Sequence, residues 1–369
     1  MQKGKEEKQA NAKIRKRESW QGIKIAPARQ CKKNKNRESA YGCGKEMFDI
    51  VSVGNATVDV FIELGGKAQK GKLELPTGTK QEVKSITYGT GGGATNTAVG
   101  FKRLGLRTGI LAAVGKDLAG KMVLDDLRQH RVSTRLITRL RHFSTAYSAI
   151  LTGFGQDRII LTYGGATTHL GEERSIHWAW LKQTRWVHLS SFHAKPRILK
   201  KVLEFAESNG ISVSFNPGMS EITQGINALG QLLKKVDVLL LNRNEAAMLT
   251  GKKDVKGQLK KLQEIVPLVV VTEGSKGAHS FDGKNYYMKP AYKVRLADTT
   301  GAGDAFHSGF VAAIARGLPV ESAMEWGNAN AQSVIMHLGA KNKLLALHEI
   351  EGFIKRHETA KTRLVKKAV

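Results

Sequence analysis

The sequence predicts an α/β fold: a mostly parallel sheet with helices on both faces and a small second β-sheet beside it. Three observations carry this expectation. From Met47 onward, short continuous apolar runs alternate with helical patterns, as they do when crossover helices bury strands on both faces. Two stretches break that rhythm with antiparallel hairpin patterning. Glycine, asparagine and aspartate gather where strands end, the edge at which open α/β sheets bind ligands.

The elements follow in order. Residues 1–46 are polar, lysine-rich and aperiodic, the composition of a disordered basic extension. Met47 stands directly before the first apolar run, so the expectation is that it is the natural initiator and that the residues before it are an upstream reading artefact. The alternative is a nucleic-acid-binding arm or a targeting segment. Glu6, Glu7 and Glu18 argue against a transit peptide, which is poor in acids. Strands are predicted at 48–53, 109–114, 185–190, 211–215, 236–241 and 267–272, with helices at 95–104, 119–130, 195–209, 243–250 and 255–265. Residues 58–64 with 72–88, and 145–163, read as hairpins, and "GQD" (155–157) supplies turn chemistry between two apolar runs. Strand pairs within about 58–88 and 145–165 would form a lid hinged at Gly164-Gly165, with an ordinary extension of the main sheet as the alternative. Helices at 304–316 and 321–337 close the domain, which is expected to span 47–352. Residues 353–369 are a basic C-terminal tail, read as a solvated helix.

Bulk properties narrow the function classes. The 369 residues, 41 % of them hydrophobic, suffice for one large α/β domain. No apolar run is long enough to span a bilayer, and no apolar segment near the start suggests secretion. The only cysteines, Cys31 and Cys43, precede Met47, so the body has no thiolate zinc site, disulfide framework or catalytic thiol. A cytoplasmic location is the default. The net charge of +27 attracts anions, but no nucleic-acid-binding motif accompanies it outside the basic extension.

Five stretches carry chemistry. In "DTTGAGDAFHSGF" (298–310), Gly301, Ala302 and Gly303 precede Asp304 at a helix start. Unpaired amides and the helix dipole there hold anions, and a carboxylate among them can take a proton from an attacking hydroxyl. A plain N-cap is the alternative. "GTGGGATNTAVGFKRLG" (89–105) places Gly92 and Gly93 before a helix bearing Asn96, whose amide both donates and accepts, as sugar hydroxyls require; the alternative is a flexible loop. "GNATVD" (54–59) offers Asn55 and Asp59 at the end of the first strand, or simply a turn acid. "LNRNEAAMLTG" (241–251) spaces Asn242 and Glu245 three apart, suited to phosphate and Mg²⁺ or to capping a helix. "VVVTEGSKGAHSF" (269–281) puts Thr272, Gly274 and Gly277 in a turn that could line a nucleotide. "GKDLAGKM" (115–122) approaches a P-loop but ends in Met122 where a hydroxyl should bind Mg²⁺, and "GAGDAF" lacks the third glycine of a dinucleotide fingerprint. The histidines His169, His177, His188, His193, His307 and His337 show no metal spacing, and Trp178, Trp180 and Trp186 read as core.

Taken together, "GTGGGATNTAVGFKRLG…AAVGKD" resembles the N-terminal signature of the ribokinase-like (PfkB) carbohydrate kinase family, and "DTTGAGDAFHSGF" its C-terminal signature. The intervening motifs occur in family order. The resemblance runs from about Met47 to the C-terminal helices. It implies a Rossmann-like domain with a β-lid that transfers the γ-phosphoryl group of ATP, with Mg²⁺, to a hydroxymethyl group of a sugar or nucleoside. By position it implies Asp304 as base, the amides of Gly301, Ala302 and Gly303 as anion hole, and Asn55, Asp59, Gly92, Gly93 and Asn96 as substrate contacts. Asn242, Thr272, Gly274, Gly277 and Asn330 would meet the nucleotide and Glu245 the Mg²⁺. Asp298 and Thr300, with segment 334–339, would hold a monovalent cation such as K⁺. Ribokinases proper usually carry a lysine where this chain has Gly93, which puts ribose specificity in doubt. The lid contributes Tyr163 and Arg158, suited to stacking on a base or holding a phosphate. A phosphofructokinase-like sugar-phosphate kinase, or a non-catalytic ligand- or nucleic-acid-binding protein, is the alternative. The lid could also join two copies as a homodimer.

Overall fold

The structure is a computed structural model that describes residues 48–65, 73–154, 158–171, 176–191, 196–337, 339–357 and 362–365. The basic extension 1–46, Met47, the "GQD" turn at 155–157 and His193 lie outside the described residues. In chain order the strands are β1 (Phe48–Val53), β2 (Thr57–Leu64), β3 (Val83–Gly91), β4 (Thr108–Leu111), β5 (Ala113–Gly115), β6 (Thr138–Leu140), β7 (Ala146–Thr152), β8 (Ile159–Tyr163), β9 (Thr184–Leu189), β10 (Ser212–Phe215), β11 (Val238–Asn242), β12 (Leu268–Thr272), β13 (Ala278–Phe281), β14 (Tyr286–Lys289) and β15 (Arg363–Val365).

Nine of them form the central sheet, ordered β15-β14-β13-β12-β11-β10-β9-β1-β4. The stretch from β12 to β4 is parallel, and β13, β14 and β15 add an antiparallel edge. The strand period of two sorts alternate side chains onto opposite faces. Val51, Val53, Leu239, Leu241, Val269 and Val271 pack on one side with Leu199, Val202 and Leu203 of helix Pro196–Ser208. Ile50, Leu240 and Val270 point the other way, against Phe306 and Phe310 of helix Ala302–Ala315 and Trp326 of helix Val320–Ile335. Both faces are therefore covered, which is why β11 and β12 read as unbroken apolar runs. Trp186 lies in this core, whereas Trp178 and Trp180 pack against it only partly buried.

The two hairpins form a sheet of their own rather than an extension of the main one, in the order β3-β2-β7-β8. β2 with β3 and β7 with β8 are antiparallel, and the parallel pairing of β2 with β7 joins them. β2 follows the end of β1 by only a short link, so this small sheet stands over the carboxyl ends of the parallel strands.

Three local expectations differ from the structure. The single strand expected at 109–114 is two, because the chain leaves β4 after Leu111 and β5 pairs with β6 instead. The β13–β14 hairpin was not expected, its four-residue strands being too short to show a period. The C-terminal residues are not one solvated helix: helix Leu347–His357 runs through the boundary expected at 352/353, and β15 then pairs with β14.

Candidate active site

β1 ends at Val53 and the chain turns through Asn55 into β2, which carries Asp59. Helix Gly93–Arg103 starts beside this turn, capped by Gly92 at φ 93°. A Cβ on Gly92 would lie 2.5 Å from the carbonyl oxygen of Asn55, so only glycine lets the two segments meet. Ala94 N–H donates to that carbonyl at 3.2 Å, locking the junction. Asn96, one turn in, then points at the start of another helix.

That helix is Ala302–Ala315, with Gly301 as its left-handed cap at φ 76°. A Cβ on Gly301 would meet the Cα of Ala340 at 2.5 Å. The Ala302 amide donates to the Thr299 carbonyl at 3.3 Å, whereas those of Gly301 and Gly303 have no partner among the described residues. A Cβ on Gly303 would approach nothing nearer than His307, at 3.9 Å. Asp304 follows, half-buried, and Asn96 Nδ2 donates to its Oδ2 at 2.8 Å. Burial raises the Asp304 pKa and the nearby Asp59 charge adds to this, against the opposing Asn96 bond. Asp59 is itself raised by burial, although Ser148, Thr57 and the Lys341 charge favour its ionised form. The base expected from the motif is thus a carboxylate with enhanced proton affinity at the mouth of an anion-binding helix end.

A cavity of about 490 Å³ opens here, between the strand-end turn and the lid. Asn55, Asp59 and Gly92 line it from below, Tyr147, Ser148, Ile160 and Tyr163 from the lid, and Thr167 and Thr300 from the sides. The Oδ1 atoms of Asn55 and Asn96 and the hydroxyl of Thr167 are buried without a hydrogen-bond partner among the described residues. Buried polar atoms left unpaired are costly, so these are waiting acceptors for donors that a ligand brings. A side chain at Gly93 would run into Ser190 and come within 3.6 Å of Asp304 Oδ1. The lysine absent from position 93 would therefore have stood against the base. Thr167, Ser148 and Ser190 escaped the sequence reading; Thr167 follows the Gly164-Gly165 pair, whereas Ser148 and Ser190 stand in stretches with no such mark.

The nucleotide side is more mixed. Asn242 and Glu245 form a capping box on helix Arg243–Thr250: Asn242 Oδ1 accepts from the Glu245 amide at 2.9 Å, and Glu245 Oε2 accepts from the Asn242 amide at 2.8 Å. The capping alternative is thus realised, with Glu245 Oε1 left over. Burial raises the Glu245 pKa and the Asp304 charge contributes, which places Glu245 within electrostatic reach of the base. No cluster of three metal-ligating side chains exists among the described residues. The donor set fits a Mg²⁺ ion held chiefly by phosphates and water, with one carboxylate beside it. Thr272 pairs with Asn242 across β11 and β12, and Gly274 and Gly277 shape the turn that follows, so these residues share one strand-end edge.

One expectation is corrected. Asn330 cannot face a nucleotide: it is fully buried, its Nδ2 donates to the Ala305 carbonyl and Ser308 Oγ, and its Oδ1 accepts from the Leu345 amide. It holds the helix of Asp304 in place from behind. Asp298 and Thr300, expected to hold a monovalent cation, are engaged with protein groups. Asp298 Oδ1 accepts from the Thr300 amide and hydroxyl, Oδ2 accepts from the Gly339 amide, and Arg158 of the lid places Nη1 3.3 Å from Oδ1 and 2.9 Å from Thr300 Oγ1. In segment 334–339 the Ile335 carbonyl is already bonded to the amides of Ala297 and Asp298. The positive charge at this loop comes from the lid arginine. Burial works against ionisation of Asp298, but these bonds and that charge hold its carboxyl below the usual range.

Comparison with known proteins gives this arrangement a family. Residues 47–346 match the model of the pfkB family carbohydrate kinases. The chain belongs to that family. As a pfkB kinase it is a phosphotransferase acting on an alcohol group. It is 27 % identical over 297 residues to a nucleoside kinase of Methanothermobacter thermautotrophicus, covering 80 % of this chain and 92 % of that one. It is 27 % identical to a ribokinase of Haemophilus influenzae (73 % and 88 % covered) and 24 % identical to an ATP-dependent 6-phosphofructokinase of Thermoanaerobacterium thermosaccharolyticum (79 % and 89 %). Its fold matches the nucleoside kinase of Methanocaldococcus jannaschii with a TM-score of 0.71 at 24 % identity, covering 85 % of this chain and all of that one. A ribokinase of Arabidopsis thaliana, complexed with ribose and ATP, matches with a TM-score of 0.72 at 21 % identity, covering 84 % and 99 %. Members of the family use ATP and Mg²⁺. Among the described residues no helix of this pfkB kinase is long and apolar enough to cross a membrane.

Proposed function

We propose that this pfkB kinase moves the γ-phosphoryl group of ATP to a hydroxymethyl group, with a nucleoside as the preferred acceptor. The observation that carries the reading is the 2.8 Å bond from Asn96 to Asp304, at a helix end whose preceding loop lines the cavity through Thr300. The acceptor lies under the lid, its hydroxyls donating to Asn55 and Asn96 and to Asp59. The reacting hydroxyl passes its proton to Asp304 as its oxygen bonds to the γ-phosphorus and the bond from that phosphorus to the β,γ-bridging oxygen breaks, releasing ADP; the amides of Gly301 and Gly303 hold the charge moving across the transferred group. Mg²⁺, when bound beside Glu245, neutralises the phosphate oxygens.

The lining of the cavity separates the acceptor classes. No lysine or arginine lines it among the described residues, and Arg158 is engaged at Asp298. A sugar phosphate would thus arrive at a pocket whose described lining carries the Asp59 carboxyl and no cation. A nucleoside brings hydroxyls for the asparagines and a flat apolar base for Tyr147, Ile160 and Tyr163. The test is ADP release over a panel of nucleosides, free pentoses and hexoses, and fructose 6-phosphate. A kcat/KM highest for the sugar phosphate would overturn this assignment.

The lid also exposes Ile86, Tyr88, Leu161 and Tyr163, each more than half accessible. We propose that a second copy of the chain covers them. A cytoplasmic location, where ATP is present, accompanies the reading. Sedimentation showing only monomer at micromolar concentration would remove the dimer without touching the chemistry.

A further inference from the structure

A second cavity, of about 480 Å³, lies where β1 and β4 begin. Phe48 opens β1, Thr108 opens β4, and both line it. The two strands run parallel, so this is the end of the sheet opposite the active site. A six-residue strand puts roughly 20 Å between them.

Lys102, Arg107, Arg128, Arg131 and Arg135 surround the cavity, Phe48 and Val132 supply an apolar floor, and Thr108, Ser133 and Thr134 add hydroxyls. Among the described residues, acidic partners are few. Asp49 meets Arg107 at 2.9 Å and is shared with Arg185 at 2.5 Å, Asp125 meets Arg128 at 2.9 Å, and Arg135 sits 5.3 Å over the Trp180 ring. Lys102 and Arg131 enter no ion pair among the described residues. Arg185 keeps its Nε buried without a hydrogen-bond partner.

The plain reading of a basic cluster is complementation of helix dipoles. It accounts for Lys102 and Arg128, which lie in the last turns of helices Gly93–Arg103 and Leu118–Gln129. Arg107 is held by Asp49 and Arg135 lies over Trp180, which leaves Arg131 without an account of this kind. Arg131 has φ 56° just past the end of helix Leu118–Gln129, the left-handed position where glycine is normally found. Any residue with a Cβ is strained there, and strain of this kind collects at functional sites. Guanidinium forks over an apolar floor, in a concavity of small-molecule size, match a phosphate-bearing anion. We propose that this cavity binds a multiply charged phosphate anion of nucleoside-polyphosphate size, separately from the active site.

The test uses the full chain with inorganic tripolyphosphate as probe, in calorimetric titrations, with the active site filled by a non-hydrolysable ATP analogue and Mg²⁺. One equivalent should bind with an affinity that falls steeply with salt. Arg131→Gly should weaken binding about tenfold or more, the loss expected for a charge-assisted hydrogen-bond donor. It should also leave Tm unchanged or about 2 °C higher, because it relieves the left-handed strain. Lys102→Ala should weaken binding in the same way. Unchanged affinity in both variants, or loss of binding once the ATP analogue is present, overturns the site. Tripolyphosphate failing to bind while single-stranded RNA binds through Lys102 and Arg131 overturns the small-anion assignment. Because the readouts are binding and melting, the outcome is independent of the acceptor assigned to the kinase.

Discussion

Asp304→Asn isolates the step on which the proposed chemistry depends. The substitution preserves size and leaves an oxygen facing Asn96 Nδ2, so the 2.8 Å bond that orients the side chain is kept. It removes the proton acceptor. General bases contribute about 10²–10⁴ in rate, or roughly 3–5 kcal/mol of barrier. It also removes a charge that burial and the neighbouring Asp59 make unfavourable. A carboxyl whose folded pKa is raised destabilises the fold at neutral pH, so the neutral amide should hold Tm constant or raise it. The expected result is a fall in kcat of at least about a hundredfold with little change in acceptor KM. ADP release on the preferred acceptor, with thermal melts on the same samples, gives both numbers. Turnover within about threefold of wild type would show that another group takes the proton and would undo the mechanism. A lost Tm would instead assign Asp304 to structure.

Other expectations follow from the same neighbourhood. Gly301→Ala must place a Cβ at φ 76° and 2.5 Å from the Cα of Ala340, so it should lower stability by several kcal/mol in chemical denaturation; an unchanged midpoint would mean that the helix end adapts. Asn330→Ala leaves the Leu345 amide buried without its acceptor, and should cost about 1–3 kcal/mol of stability while ATP KM stays near wild type. A large rise in ATP KM with Tm intact would restore Asn330 to the nucleotide site. Buried His188 and His307 have pKa values pushed down to about 3 by burial, against 6.5 in the unfolded chain. The unfolded state therefore binds more protons between these values, and stability is complete above pH 6.5 and lost on acidification. The pair should forfeit about 4 kcal/mol between pH 7.5 and 5, and a Tm constant over that range would refute their neutrality. Exchanging K⁺ for Na⁺ at fixed ionic strength should alter kcat by less than about twofold, since Arg158 already supplies the charge at Asp298; strong K⁺ activation would show that this arginine leaves.

The parts of the site that were legible in the sequence are those in which one short segment makes its own chemistry. Gly92 and Gly301 announce helix caps at which a side chain cannot be housed, and Asn96 and Asp304 each follow such a cap within one turn. Burial on both faces of the sheet was likewise written into β11 and β12 as unbroken apolar runs. What was not legible depends on which distant group arrives. Asn330 lies on the right helix, but only the packed structure shows that it turns toward Ala305 and Leu345 rather than toward a ligand. Asn242 and Glu245 have a spacing that serves a metal and a capping box equally, and the hydrogen bonds show the cap.

The loop before the base illustrates the limit most clearly. Asp298 and Thr300 look like cation ligands because a carboxylate and a hydroxyl two residues apart can converge on one ion. Here they converge on Arg158, which stands 140 residues away in the chain and reaches them from the lid. A lone acid beside a phosphate path needs a countercharge whatever its source, so the local segment encodes the demand while the tertiary fold chooses the supplier. With that charge anchored in the lid, the contact ties lid position to the loop that leads into Gly301 and Asp304.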